Sequence, residues 1–523
     1  MRSSALPYEF VTSEKITIDY LNHADTLKHI FTKHFGEPSI RTCNVDRERL
    51  VDKLLEYNRK IGAPQRVIEN IESLSQPKTY VVITGQQPGL LLGPLYTMYK
   101  AISAIVICER LSTQGYSLVP IFWNASEDHD LSEVNHINIF RKNEPYEISY
   151  DYVSNGVALS HMGLDKSEVN RMLTIIDGIS PNSEFKPSLL RRIREIVQNS
   201  STVGDFFSRF MVYLFGESGL AMVEPQSLRE LMAPVFQRLI KKPTECTQIL
   251  NEAGLELKRL GYSPRIHKRS DICNFFLFNE SGERLQVTYN GDFQAANETF
   301  SQKELLNLLD ENPYRFSANA VTRPITQDFL FPTFAYAAGP HEIAYQAQLK
   351  RLYDFFSLEM PVIFPRFGAT IVEKKVTKVL EKYDVAIHEL RDTDRLLKEL
   401  AKKKIDRAFN SFRSEVLRSM SEVTQQAESI DEALIRPCSL AEGRILKAID
   451  ALEDKIAARV KERNTVVRRQ IAKAHSNIFP RGDLQERQIS VMEYLIKFGE
   501  RFPEIVYKDF LEADYGEHRV IKC

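Results

Sequence analysis

The chain reads as an α/β protein: a parallel-sheet core with inserted segments, followed by a long antiparallel helical hairpin. Three observations lead there. A strand, a glycine-rich loop, a helix and a second strand follow one another within about 45 residues, the signature of a βαβ unit. Apolar runs of strand length recur further along, and beyond residue 386 come two long stretches of helix-spaced apolar positions.

The first strand is 79–84 (TYVVIT), a β-branched run that stops at Gly85 and reads as buried on both faces. Leu95 to Leu111 reads as the helix and Leu118 to Trp123 as the next strand. A right-handed crossover then places both strands in one parallel sheet, with ligands expected at their carboxyl ends. Gly219 to Val223, Ala335 to Ala338 and Pro361 to Pro365 read as further strands, each followed by a helical stretch. Between about 140 and 300, short strands (Phe275 to Phe278, Leu285 to Tyr289) mix with amphipathic helices around 187–215 and 243–260. These read as insertions into the sheet, or layers over it.

Beyond residue 386, Ile405, Phe409, Phe412, Val416, Met420 and Val423 form one helical stripe, and Ile445, Ile449, Leu452, Ile456, Val460, Val467, Ile471 and Ile478 a second. The step pattern of the second lies closer to an eleven- than a seven-residue repeat. Pro437 and Gly443 are expected to break the two runs apart, and Lys, Arg and Glu crowd the opposite faces, as in a coiled coil. The second arm would reach roughly 50 Å at the usual helical rise. Four units result: a helical N-terminal region (1–78) joined to the core, the core (79–385), an antiparallel coiled coil (386–478), and a C-terminal segment (479–523) packing on the core. The stripes leave more apolar edge than two helices can cover, so a homodimer through the coiled coil is expected.

Composition narrows the function. Hydrophobic residues make up 43% and charged residues 27%, the balance of a soluble globular protein. A net charge of −1 gives no bulk attraction to nucleic acid or anionic lipid, so neither partner is expected. The residues Met1 to Phe10 show no secretory pattern, no apolar run is long enough to span a bilayer, and a cytoplasmic location is expected. The six cysteines are scattered with no Cys-x-x-Cys pair, as for reduced thiols; Cys523 is not a prenylation box.

Two motifs fall at strand carboxyl ends. In TGQQPGLLLGPLYTMYK (84–100), Gly85, Gly89 and Gly93 let backbone approach a ligand, and the helix opening near Pro94 offers amides to an anion. The spacing is not that of a Walker loop, and a plain strand-to-helix turn would carry the same glycines. Gln86 and Gln87 are suited to amide, hydroxyl or carboxylate recognition. In NASEDHDLSEVNH (124–136), four carboxylates and two imidazoles suit acid–base work, with Asp128 or His129 as the base, although a solvated acidic turn has the same composition. His129, Asp130 and His136 lack a helical zinc spacing, so no metal is expected.

These blocks, TGQQPGLLLGPLYTMYKAIS and VPIFWNASEDHDLSEVNHI, closely resemble signatures of the bacillithiol biosynthesis cysteine-adding enzymes. So do Arg323 to Asp328 leading into LFPTFAYAAGPHEIAYQAQLK, MPVIFPR ending at Arg366, and IFPRGDLQERQ (478–488), in the family's order across nearly the whole chain. The resemblance implies a Rossmann-like core related in shape to class I aminoacyl-tRNA synthetases, a coiled coil that supports dimerisation, and a ligase that joins cysteine to glucosamine-malate in the last step of the pathway. One departure stands out. Where synthetases carry His-x-Gly-His, this sequence has Tyr96-Thr97-Met98-Tyr99, and Lys374 to Lys378 is only a look-alike of their second signature. The activating cosubstrate is therefore left open, with ATP or another nucleotide as candidates, and no cofactor is assigned with certainty.

The expected substrate groups are Gly85, Gln86, Gln87, Gly93, Tyr96, Asn124, Asp130 and His136 from the first two blocks, and Arg323, Gln327, Glu342, Tyr345 and Arg366 from the third. Arg323 and Arg366 suit bidentate pairing with a carboxylate, or equally a structural salt bridge. His341 is assigned no chemistry. Two other functions compete: an ATP-dependent nucleotidyltransferase-like enzyme activating another carboxylate, and a non-catalytic coiled-coil scaffold.

Overall fold

A computed structural model describes every residue except Met1, Arg2, Thr32, Pro38, Arg41 and 153–155. Met1 and Arg2, part of the segment inspected for a leader, thus lie outside the described residues. The chain divides into two compact units, one of 1–370 with 484–521 and one of 371–483 with 522–523.

The first unit is built on a parallel sheet of β1 (Thr79–Gln86), β2 (Ser117–Asn124), β3 (Ala221–Val223), β4 (Thr333–Ala338) and β5 (Val362–Pro365). Their spatial order is β5-β4-β1-β2-β3. β1 and β2 run in register from Thr79 opposite Ser117 to Gln86 opposite Asn124, so the two motif-bearing loops leave the sheet side by side. Val81, Val82 and Ile83 are fully buried, as a β-branched strand covered on both faces should be. Helix α1 (Leu95–Ser112) connects β1 to β2 and is apolar nearly all round, hence buried rather than amphipathic.

The sheet grows from β1 to β2 and β3 on one side, then returns to add β4 and β5 on the other. The strand order therefore reverses between β1 and β4, and it is outside the carboxyl ends at such a reversal that open α/β sheets hold ligands.

The inserted region contributes a hairpin (His136–Arg141 with Glu144–Ser149) and an antiparallel five-stranded sheet formed from Ile272–Phe278 and its neighbours. The segment 484–521 returns to the first unit: Arg110 of α1 donates to the carbonyls of Phe510 and Leu511, both at 2.8 Å. Two expectations need correction here. The N-terminal region is not purely helical, since Ser3–Pro7 is a strand paired antiparallel with the Glu517–Lys522 strand. After β5 the chain enters another strand, Gly368–Val372, before any helix.

The second unit holds α2 (Thr393–Ile430), α3 (Ile435–Arg463) and α4 (Thr465–Ile478). α2 and α3 lie side by side, cross-linked by Arg413 to Asp450 at 2.7 Å and by Lys402 to Asp454 at 2.8 Å. The turn falls at 431–434, not at Pro437 and Gly443, which both lie inside α3. Pro437 sits in the first helical turn, where its missing N–H costs nothing. The second arm is also interrupted: Asn464 leaves helical geometry, and its side chain accepts from Val467 N–H to start α4.

Candidate active site

The end of β1 is shaped by close backbone approach. A Cβ on Gly85 would lie 2.8 Å from the carbonyl oxygen of Trp123 in β2, so the glycine is required by strand packing. Beyond Gln86, Leu91 and Leu92 take positive φ values of 48° and 67°, and Gly93 follows at 61°. Left-handed leucines cost on the order of 1–3 kcal/mol each, and the buried side chains of Leu90, Leu91 and Leu92 offset that cost. The helix start is not free for an anion in the way its sequence suggests. Leu95 N–H donates to Ile489 O at 2.9 Å and Thr97 N–H to Pro94 O at 3.1 Å.

A buried charged cluster lies at the reversal between β1 and β4. Lys100 of α1 donates to Gly85 O at 2.8 Å and Gln86 Oε1 at 2.9 Å, and pairs with Glu342 Oε2 at 2.7 Å. Glu342 also accepts from Gly339 N–H and from the Tyr336 hydroxyl, each at 2.8 Å. Burial pushes the Glu342 carboxyl up, yet Lys100, the Gly339 N–H and Arg323 together outweigh it and hold the group below the usual carboxylate range. Arg323 donates to the Tyr345 hydroxyl at 2.9 Å and keeps Nη1 buried without a partner. Arg366 is taken by Glu486, which accepts at 2.6 Å from Nη2 and at 3.3 Å from Nη1. Among these residues three cations face two carboxylates, so the cluster itself holds one more positive than negative group.

The second block leaves β2 next door. Asn124 is fully buried, its amide donating to Gly204 O and Ser208 Oγ, both at 3.0 Å. Ser126 donates to Glu224 just beyond β3, a carboxyl that burial pushes up to about 7. Glu127 is buried against Arg229 and accepts from Ser317 Oγ at 3.1 Å. Asp128 accepts from Gln87 Nε2 at 2.6 Å and from His129 N–H at 2.8 Å, with Arg284 at 3.9 Å. His129 stands beside it, Nδ1 being 3.8 Å from Asp128 Oδ1. Asp130 caps the turn Leu131–Glu133 by accepting from Ser132 N–H at 3.1 Å.

Gln86, Gln87, Gly93, Tyr96 and His136 line one cavity of about 80 Å³, together with Glu133, Asn138 and Arg487. His129 and Asp128 do not line it; Asp128 reaches its rim only through Gln87. Glu342, Arg323 and Tyr345 lie in the charged cluster, whereas Gln327 is fully buried with Oε1 unpartnered. Lys100, Glu486 and Arg487 escaped the sequence reading. Lys100 had a signal, being the one charged residue between Leu95 and Cys108. Among the described residues no three His, Cys, Asp or Glu side chains are grouped to hold a metal ion, and no helix is long and apolar enough to cross a membrane.

Comparison with known proteins matches both parts of the chain. The family model described as Bacillithiol biosynthesis BshC, N-terminal Rossmann-like domain, covers residues 1–367. The one described as Bacillithiol biosynthesis BshC, C-terminal coiled-coil domain, covers residues 369–523. A relative from Salinibacter ruber is 34% identical over 91% of this chain and 89% of its own. One from Bacillus cereus is 31% identical over 98% of both, and each bears the name "Putative cysteine ligase BshC". With a Rossmann-like sheet in one unit and a long helix pair in the other, the chain belongs to the BshC family of bacillithiol biosynthesis.

Proposed function

We propose that this protein is a cytoplasmic ligase that forms an amide between the carboxyl of L-cysteine and the glucosamine nitrogen of glucosamine-malate, giving bacillithiol. The observation that carries the reading is family membership over the whole chain, among relatives named as cysteine ligases. The site supports it: the cavity lined by Gln86, Tyr96 and Arg487 lies beside a cluster with more cations than carboxylates, which suits substrates that both bear carboxylates. His129 takes the proton from the attacking amine, while Gln86 and Tyr96 hold a carboxylate in the cavity. The carboxyl of cysteine needs a leaving group, which ATP or another nucleotide would supply as cosubstrate. The test is to incubate the purified protein with L-cysteine, glucosamine-malate and each nucleotide in turn, then trap thiols with a fluorescent alkylator. A product with the mass of bacillithiol, formed with one nucleotide and absent without enzyme, is expected. Nucleotide turnover with some other carboxylate but not cysteine would favour a different ligase, and no turnover at all a scaffold.

The same reading includes a homodimer through the helical hairpin. Ile449 and Ala457 are buried between α2 and α3, but Leu452 is 48% exposed, Ile456 38% and Val423 51%. Such an apolar stripe on a charged helix pair suits a second copy of the chain. Ile449 belongs inside the hairpin, so the informative variant is Leu452→Asp/Ile456→Asp. It is expected to sediment as a folded monomer where the unaltered chain sediments as a dimer. An unchanged dimer mass would place the interface elsewhere.

A further inference from the structure

One wall of the cavity has its hydrogen-bonding sense set from behind. Lys100 is 5% exposed and lies in the second turn of α1. An ammonium has three hydrogens and no lone pair, and all three are used, on Gly85 O, Gln86 Oε1 and Glu342 Oε2. Because the ammonium cannot accept, the carboxamide of Gln86 must turn its oxygen toward Lys100 and its NH2 group away. That group faces the Tyr96 hydroxyl, 3.3 Å off, in the wall of the cavity that both residues line. The Tyr96 oxygen accepts from Gln86, which leaves the hydroxyl hydrogen for a ligand. Burial raises the Tyr96 pKa, so the hydrogen stays in place near neutrality.

We propose that Lys100 is a positioning residue: it locks Gln86 with its NH2 group toward the cavity, so that Gln86 and Tyr96 present donors only and select a carboxylate of the substrate. The inference rests on reading this cavity as part of the substrate site. Freed from Lys100, the carboxamide rotates by half a turn at little cost and offers its oxygen, which repels a carboxylate. Lys100 acts through Gln86 and touches no reacting atom.

Lys100 also joins the ends of β1 and β4 through Glu342, so both charges are removed together, as Lys100→Met/Glu342→Gln. This variant, Gln86→Ala, and the two combined are compared with the unaltered full-length protein. The pair variant is expected to raise KM for glucosamine-malate by about tenfold or more with kcat little changed, and Gln86→Ala to do the same. The combination should be no worse than the pair variant, because Gln86 is already unlocked. If Gln86→Ala adds its full effect in the pair variant, or if kcat falls instead of KM rising, Lys100 does not act through Gln86 and the proposal fails. Should the pair variant not fold, Gln86→Glu serves, since it keeps the Lys100 contact but replaces the donor by an acceptor. It is expected to weaken binding more than Gln86→Ala, and affinity equal to the unaltered protein overturns the donor-only wall. Calorimetric titration with L-malate alone reads the same variants without turnover. Malate binding that follows this pattern in a protein that makes no bacillithiol would sink the ligase reading and leave the Lys100 assignment standing. Malate affinity indifferent to all of these variants would sink the assignment, whatever the turnover.

Discussion

Arg366→Met is expected to destabilise the folded chain by about 3–5 kcal/mol at neutral pH, the usual cost of stranding one member of a buried ion pair. Glu486 is fully buried and Arg366 is 6% exposed, so neither can turn to water once its partner is lost. The backbone makes room for the pair: a Cβ on Gly368 would lie 2.6 Å from Glu486 Oε2. Glu486→Met should cost about as much. Arg366→Met/Glu486→Met should recover most of the loss, because the large penalty lies in the stranded charge and not in the absent attraction. The pH dependence has a definite sign. Burial pushes the Glu486 carboxyl up, but Arg366, joined by His518 and Arg487, outweighs burial and holds it below the usual glutamate range. A depressed carboxyl stabilises the fold above its unfolded-state pKa and loses that contribution as pH falls through its folded value. The gap between unaltered and Arg366→Met proteins in chemical denaturation should therefore be full at pH 7 and shrink in strong acid. A loss below about 1 kcal/mol at pH 7 would mean that the pair is solvated and not structural.

The pair also shows where sequence reading runs out. Arg366 was legible as a carboxylate partner, but Glu486 lies 120 residues further on, and nothing local ties the two together. β1 was legible because a β-branched run that stops at a glycine has few alternatives as a buried strand, and β2 because a short apolar run follows the helix after it. The reversal between β1 and β4 was not, since a single sequence carries no strand order; Lys100 and Glu342 become neighbours only once those strands are adjacent. In the hairpin the apolar spacing gave the helices, while the breakers misled. Proline in a first turn and an exposed glycine are both affordable, and the true interruption at Asn464 is signalled only by a side-chain cap. The acidic block had the opposite outcome. Its residues look alike in sequence, yet the structure separates buried Glu127, rim-bound Asp128 and half-exposed His129.

That separation favours His129 over Asp128 as the proposed base, and on that proposal His129→Ala is expected to lower kcat by about 10²–10⁴-fold. Both oxygens of Asp128 are already engaged, Oδ2 by Gln87 and Oδ1 by the backbone N–H groups of His129 and Asp130. Asp128 is thus an anchor for the loop. The His129 side chain is 40% exposed, and its Nδ1 has no hydrogen-bond partner. Asp128 at 3.8 Å from Nδ1 is placed to stabilise the imidazolium formed by proton uptake, the part a carboxylate plays behind a histidine base. The ring meets Phe276 edge-on at 6.3 Å and makes no buried polar contact whose loss would unfold the protein. The melting temperature of His129→Ala should therefore stay within a few degrees of the unaltered chain. His129→Gln, which keeps size and polarity but cannot take up a proton near neutrality, should be as slow as alanine. Asp128→Asn should act differently. It keeps the loop geometry in part but withdraws the charge that would stabilise the imidazolium formed on proton uptake, so its defect should be smaller than that of His129→Ala. The decisive measurement is the initial rate of bacillithiol formation across pH for the three variants beside the unaltered enzyme. A folded His129→Ala that forms product at the full rate would reduce His129 to a turn residue and overturn its role as the base.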